Sequence, residues 1–247
     1  MTIVGLAAIG WMLMWDGPAT EAETTPSTAA VAASVRAEEP ERDPTPVFAQ
    51  QGGTRIHLVI DPGDLTAVAF HQASGDLAQP MTALVPDADM VLASELHAVP
   101  PVDGGDNPDD DVWAGCVLRL WRSNRTGEPD TAADMGANPG TPVWSPVSGT
   151  VVNVRPYLLY DKYEDYEIHI RPEGREDVDV VLIHVDGVKV RAGDRVLGGV
   201  TQLASVRMMS DKINIQLAGY TANAGDHVHL QFNRIPAEGE LAQPGGS

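Results

Sequence analysis

GTPVWSPVSGTV (residues 140–151), VVLIHVDGVKVRAGDRV (180–196) and GDHVHLQF (225–232) follow one another in the C-terminal third of the chain. Each combines short runs of β-branched residues with Gly, Pro or Asp breaks, the punctuation of an all-β protein. In a strand, alternate side chains share a face, so His227 and His229 point the same way with Val228 opposite. Two neutral imidazoles on one face can divide the work between metal ligation and proton transfer near neutral pH. His184, in VVLIHV, stands directly before the glycine-bearing GVKVRAGDRV turn.

Outward from these blocks the same punctuation continues. TRIHLVI (54–60), TAVAF (66–70) and VWAGCVLRLW (112–121) are expected strands in an N-terminal part. GTVVNVRPYLLY (149–160), DYEIHIRP (165–172), DVVLIHV (179–185), VKVRAGDRVLGGV (188–200), KINIQLAGY (212–220) and DHVHLQFN (226–233) are expected strands in the second. Only DADMVLASELHAV (87–99) has helical spacing, and PPVDGGDNPDDD (100–111) is a loop. Cys116 is the single cysteine, which excludes an intrachain disulfide and any multi-cysteine metal site; its surroundings are those of a buried strand residue.

The chain has 247 residues, with 35 acidic against 16 basic side chains and a formal charge of −19. No basic stripe is available for phosphate contacts, so nucleic acid is excluded as an expected partner. The first 15 residues are uncharged and almost wholly apolar, too short for a bilayer crossing of ~20 residues. They read as a signal or anchor remnant, and the missing Lys or Arg before them points to a start inside a longer gene. Residues 17–46 are rich in Ala, Thr, Glu and Pro without an apolar period, the composition of a flexible tether. The expected division is therefore 1–15 anchor remnant, 16–50 disordered linker, 51–119 small mainly β region, 120–237 main β domain and 238–247 flexible tail. That order implies an extracytoplasmic protein, secreted or held at a membrane through its N-terminus.

The order and spacing of the three blocks resembles the lysostaphin/LytM-type zinc metallopeptidases, which cut the peptide bridges of bacterial cell walls. The resemblance covers roughly residues 120–235. It implies a mainly β fold built on an antiparallel β-sheet core, barrel-sandwich-hybrid-like, with a bacterial cell-wall peptide as substrate and zinc as cofactor. That family takes its metal from a His-x3-Asp pair before the GTPV block and from the second His of a His-x-His strand. Carried onto this chain, Asp134 is the carboxylate ligand and His229 the imidazole ligand, while His184 and His227 activate the attacking water and stabilise the tetrahedral intermediate. In the family a metal of this kind polarises the peptide carbonyl and lowers the pKa of its water, and imidazoles handle the proton.

The first ligand departs from the pattern: the family's histidine falls on Asp130. As a ligand, Asp130 would bring a second carboxylate and shift the preference toward oxygen-binding metals. In a surface loop, DTAADMGANPG, it would instead bind backbone amides, and Arg122 or Arg125 could neutralise it, leaving no metal need there. No histidine lies between His97 and His169, so a substitute would come from afar, with His71 in AFHQASGD the first candidate and His97 the second; a structural role is the plainer reading of both. His169, in DYEIHIRP, occupies a strand position where members of the family often have a histidine; it could support the site, and a plain β-face role is the commoner reading. A second departure is the long approach to the histidine pair, 199–229. Two functions stay open on this reading: a metal-dependent endopeptidase, and a pseudopeptidase that binds wall or a partner without cutting. SPVSGTVVNV and VKVRAGDRVLGGV also resemble biotinyl and lipoyl carrier domains, but Lys162, in YDKYEDY, lacks the Met-Lys-Met or Asp-Lys-Ala setting of a carrier lysine.

Overall fold

The computed structural model describes residues 42–84, 111–114, 117–120, 125 and 127–236. The apolar start, most of the tether, the expected helix over 87–99, Cys116, His97 and the tail lie outside the described residues. Glu39–Ser247 forms one compact unit; the other unit, Met1–Glu38, lies outside the described residues.

The described residues are mainly β. In chain order the strands are β1 (Val47–Gln51), β2 (Thr54–His57), β3 (Ala67–His71), β4 (Ala78–Gln79), β5 (Thr82–Ala83), β6 (Asp111–Ala114) and β7 (Val117–Arg119). They continue with β8 (Ala132–Gly136), β9 (Pro142–Trp144), β10 (Gly149–Leu159), β11 (Tyr163–Pro172), β12 (Val178–Asp186), β13 (Arg195–Val196), β14 (Gln202–Val206) and β15 (His227–Arg234). The main sheet runs β13-β10-β11-β12-β15-β8-β3-β7-β6, and β2-β1-β5 form a small sheet of their own. Among these pairs only β3 with β7 is parallel; the core from β10 to β8 is antiparallel throughout.

Alternation decides which face is core. On β15, Val228, Leu230 and Phe232 are fully buried in the main apolar cluster, which also takes Val68 and Phe70 from β3, Ala133 and Met135 from β8, and Val180 and Leu182 from β12. The opposite face carries His227 and His229 on β15 and Asp134 on β8. A one-residue slip of any of these strands would exchange the two sets, so burial of the apolar face fixes the register of the polar one. A second, smaller apolar cluster covers part of that polar face: Ala67, Ala69, Leu118 and Leu120 pack with Leu217 and Tyr220.

KINIQLAGY, expected as a strand, contains instead a 3-10 turn over Gln216–Gly219. Its apolar residues pack onto the small Ala67 and Ala69 side chains across the sheet face, rather than joining a strand edge. Within the region 51–119, β3 pairs with β8 along its whole length, Ala67 with Gly136 through His71 with Ala132. The described residues before 51, inside the expected linker, are already hydrogen-bonded to the rest. Thr45 N–H donates to Gly199 O at 3.1 Å, its hydroxyl donates to Leu58 O at 2.6 Å, and β1 starts at Val47.

Gly149 opens β10 and pairs on both sides, with Pro172 and Val196. A Cβ there would stand 2.1 Å from Arg171 O, a backbone atom that cannot swing away. We therefore expect Gly149→Ala to destabilise the protein by about 2 kcal/mol through forced strand separation. Urea denaturation followed by tryptophan fluorescence measures this, and an unchanged midpoint would contradict the packing at this crossing.

Candidate functional site

Asp134 occupies the middle of β8, between β15 and β3, and is 1% exposed. Directly across on β15 is His229, whose Nδ1 lies 2.9 Å from Asp134 Oδ1. On the other side His71, opposite Ala132, sits one same-face position along β3; its Nε2 is 3.0 Å from the same Oδ1. His227 is two residues before His229 on the same face of β15, and its Nε2 is 3.5 Å from Asp134 Oδ2. Three strands thus bring three imidazoles and one carboxylate together by sheet register alone.

His184 reaches the same place by a different device. Strict alternation along β12 would put Ile183 on the polar face and His184 in the core. Instead Leu182 pairs with Ile168 and Val185 with Tyr166, so Ile183 and His184 together oppose the single residue Glu167. This β-bulge, with His184 at a left-handed φ of 66°, returns the imidazole to the polar face while Val185 re-enters the core. The His184 ring then stands 5.3 Å from that of His227 and 6.1 Å from that of His229.

Each imidazole has one nitrogen held from outside the group. Nδ1 of His71 is 2.7 Å from Gln72 O, and Nδ1 of His227 is 2.8 Å from Gly225 O. Nδ1 of His184 is 2.7 Å from the buried Asp165 carboxylate. Nε2 of His229 is 3.0 Å from Gln231 Oε1, and the Gln231 amide nitrogen donates to Asn233 Oδ1 at 2.7 Å, which sets the orientation of that side chain. These acceptors assign the ring N–H outward. The inward nitrogens of His71, His227 and His229 therefore turn lone pairs toward an anionic carboxylate. Acceptors facing acceptors at these distances require a proton or a cation among them.

Without a metal, and with a proton among these nitrogens, the same contacts hold the carboxylate ionised. Burial pushes the Asp134 carboxyl up, but the charges of His71 and His227 and the hydrogen bonds of His229 and His71 outweigh it and hold the group well below the usual range. Burial, reinforced by His227 and His229 and opposed by Asp165, pushes His184 down to about 4. Asp165 is itself pushed up by burial and more than compensated by His184, Tyr157 and the Tyr166 amide, so it stays ionised. Its oxygens accept from Tyr157 Oη at 2.7 Å and from the His184 and Tyr166 amides at 3.2 and 2.8 Å, with Arg207 3.6 Å away.

Asp134, His184, His227 and His229 are thus brought together; Asp130 is not. Asp130 takes a left-handed φ of 59° just before β8. Both its carboxylate oxygens are engaged by Arg119 of β7, through Nε at 2.9 Å and through the terminal nitrogen. Arg122 lies outside the described residues, and Arg125 donates to Gln72 O at 2.9 Å. His169 binds Glu167 at 2.5 Å. Sequence reasoning does not single out Asp165 or Gln231, although Gln231 continues the i, i+2 series of His227 and His229. No sequence signal marks the bulge.

The donor set fits zinc. His71, Asp134 and His229 offer one ligand atom each, all within 4.8 Å of one another and all buried; two imidazole nitrogens and a carboxylate oxygen are zinc chemistry, and the outward N–H bonds are those that orient ligating histidines. The group opens on a groove of about 630 Å³ whose lining includes Tyr157, Leu158, Tyr160, Ile213, His184 and His227.

No protein-family profile matches the chain, and no curated protein does. Among solved structures it is similar to a zinc-containing peptidase from Vibrio cholerae, at 21% identity and a TM-score of 0.30 over 45% of this chain and 29% of that one. It is similar to the catalytic domain, in mutant form, of the prophage-encoded M23 protein EnpA from Enterococcus faecalis, at 17% identity and a TM-score of 0.32 over 46% of this chain and 80% of that one. A third is the deep-sea M23 metalloprotease pseudoalterin, at 17% identity and a TM-score of 0.31 over 46% of this chain and 64% of that one. The chain spans less than a third of the Vibrio protein. At these scores the likenesses carry no weight in assigning chemistry, which rests on the side chains described above.

The pH dependence of stability rests on the same contacts. His184 is held at about 4 in the fold against an ordinary value of ~6.5, so between the two the unfolded chain binds a proton that the folded chain refuses. Asp134 and Asp165, with folded values below the ordinary ~4, add stability above that value that disappears as pH falls through their folded values. In the metal-free protein, urea midpoints should therefore decline from pH ~6.5 downward and fall further below ~4. A midpoint that rises over that interval would contradict the arrangement.

Proposed function

We propose that this chain is a zinc-dependent peptide hydrolase of the lysostaphin/LytM type that acts outside the cytoplasm on bacterial cell-wall peptides. The observation that carries the proposal is the convergence of Asp134, His184 and the His227–His229 pair at one groove from three distant points of the sequence. Asp134 and His229 hold the metal. A zinc ion there supplies Lewis acidity toward a peptide carbonyl and toward water. With its Nδ1–H committed to Asp165, His184 presents Nε2 as a neutral imidazole able to take a proton from water. His227, fixed by Gly225 O, stands beside it to accept or donate at the reacting carbonyl. The groove, at about 630 Å³, has room for an extended peptide, and Tyr157, Leu158 and Tyr160 on its wall offer apolar surface for side chains of that peptide.

A second reading has its own support. The position expected to hold the first histidine carries Asp130, locked to Arg119, so a chain that binds wall peptides or a partner without cutting them is consistent with the same groove. Zinc-loaded protein incubated with purified wall peptides separates the two. We expect new amino termini in the products, their loss on chelation, and a fall in turnover of ~100-fold or more for His184→Ala and for His227→Ala. Bound zinc with peptide affinity but no cleavage would establish the non-catalytic reading instead.

A further inference from the structure

We propose that His71 of β3 is the third ligand of the metal centre, taken over from the position four residues before Asp134. The proposal rests on the zinc-binding reading of Asp134 and His229 and names the residue that completes their set.

Three observations carry it. The His71 side chain is completely buried, and its Nε2 lies 3.0 Å from the carboxylate oxygen that His229 also approaches. Its Nδ1 is held by Gln72 O, a carbonyl that Arg125 also engages at 2.9 Å, so the ring is fixed with its Nε2 lone pair turned inward. Position 130 is meanwhile closed as a donor: both its oxygens face the Arg119 fork, and a bidentate arginine pair is among the stronger polar contacts available to a carboxylate. β7, which carries Arg119, is the parallel neighbour of β3, which carries His71. One pair of strands therefore both removes Asp130 from the site and supplies its replacement.

The exchange also decides the metal. With Asp130, two carboxylates and one imidazole would favour oxygen-preferring ions; with His71, two imidazoles and one carboxylate favour zinc over calcium or magnesium. The region 51–119, outside the blocks that carry the family resemblance, becomes part of the centre through β3.

Calorimetric titration of the full chain with zinc chloride tests this, alongside His71→Ala, His71→Asn and Asp130→Ala, each checked for folding by far-ultraviolet circular dichroism. Asparagine keeps a donor for Gln72 O but has no atom at the Nε2 position, so it separates ligation from packing. We expect one zinc per wild-type chain, no comparable heat from calcium, affinity lower by ~100-fold or more in both His71 variants, and a change of less than ~3-fold in Asp130→Ala. Zinc retained by folded His71→Asn but lost by Asp130→Ala would overturn the His71 assignment and leave the proposed function standing. No zinc binding by the wild type would overturn both.

Discussion

A carboxylate at the centre of a β-sheet, with almost no access to water, constrains everything built around it. An ion the size of Asp134 loses several kcal/mol of effective solvation when buried, and only close donors or a cation offset it. Those partners come from β15 and β3, neither adjacent to β8 in sequence. The apolar face of the same strands secures their placement: Met135, Val228 and Phe70 cannot leave the core without turning Asp134 and His229 into it. Core packing and site geometry are thus one constraint seen from two faces of the sheet.

Much of this is legible in the sequence because period-2 alternation survives in long strands. GTVVNVRPYLLY, DYEIHIRP, DVVLIHV and DHVHLQFN each fall on a strand within a few residues of its ends. β8 has the sequence of a loop: Ala-Ala-Asp-Met-Gly has little β-branched character, and its strand state comes from pairing on both sides, a tertiary effect. KINIQLAGY departs in the opposite direction, since its alternation matches a strand while its apolar groups serve to cover Ala67 and Ala69.

At the site, the block order brings Asp134, His184, His227 and His229 into consideration together, and the sheet places them side by side. Spacing cannot supply the partner of Asp130 or the position of His71. Both depend on β3 and β7 packing beside β8, a contact between distant segments with no periodic signature. A one-dimensional motif gives where a ligand stands in a related chain; a sheet permits the same point in space to be reached from the next strand, because same-face neighbours across a strand pair lie within reach of an imidazole.

His184 shows how such a site is kept rigid. A left-handed backbone at a residue other than glycine costs roughly 1–3 kcal/mol and persists only where the surroundings over-determine it. Here Asp165 supplies that determination, accepting from both the amide and the ring of His184 while Tyr157 and Arg207 close around it. The strained residue and the buried carboxylate each offset the other's cost. Neither would be stable alone, and together they hold an imidazole in one tautomer at the mouth of the groove. The order of dependence therefore runs from Tyr157 and Arg207 to Asp165, from Asp165 to the bulge, and from the bulge to the single orientation of His184.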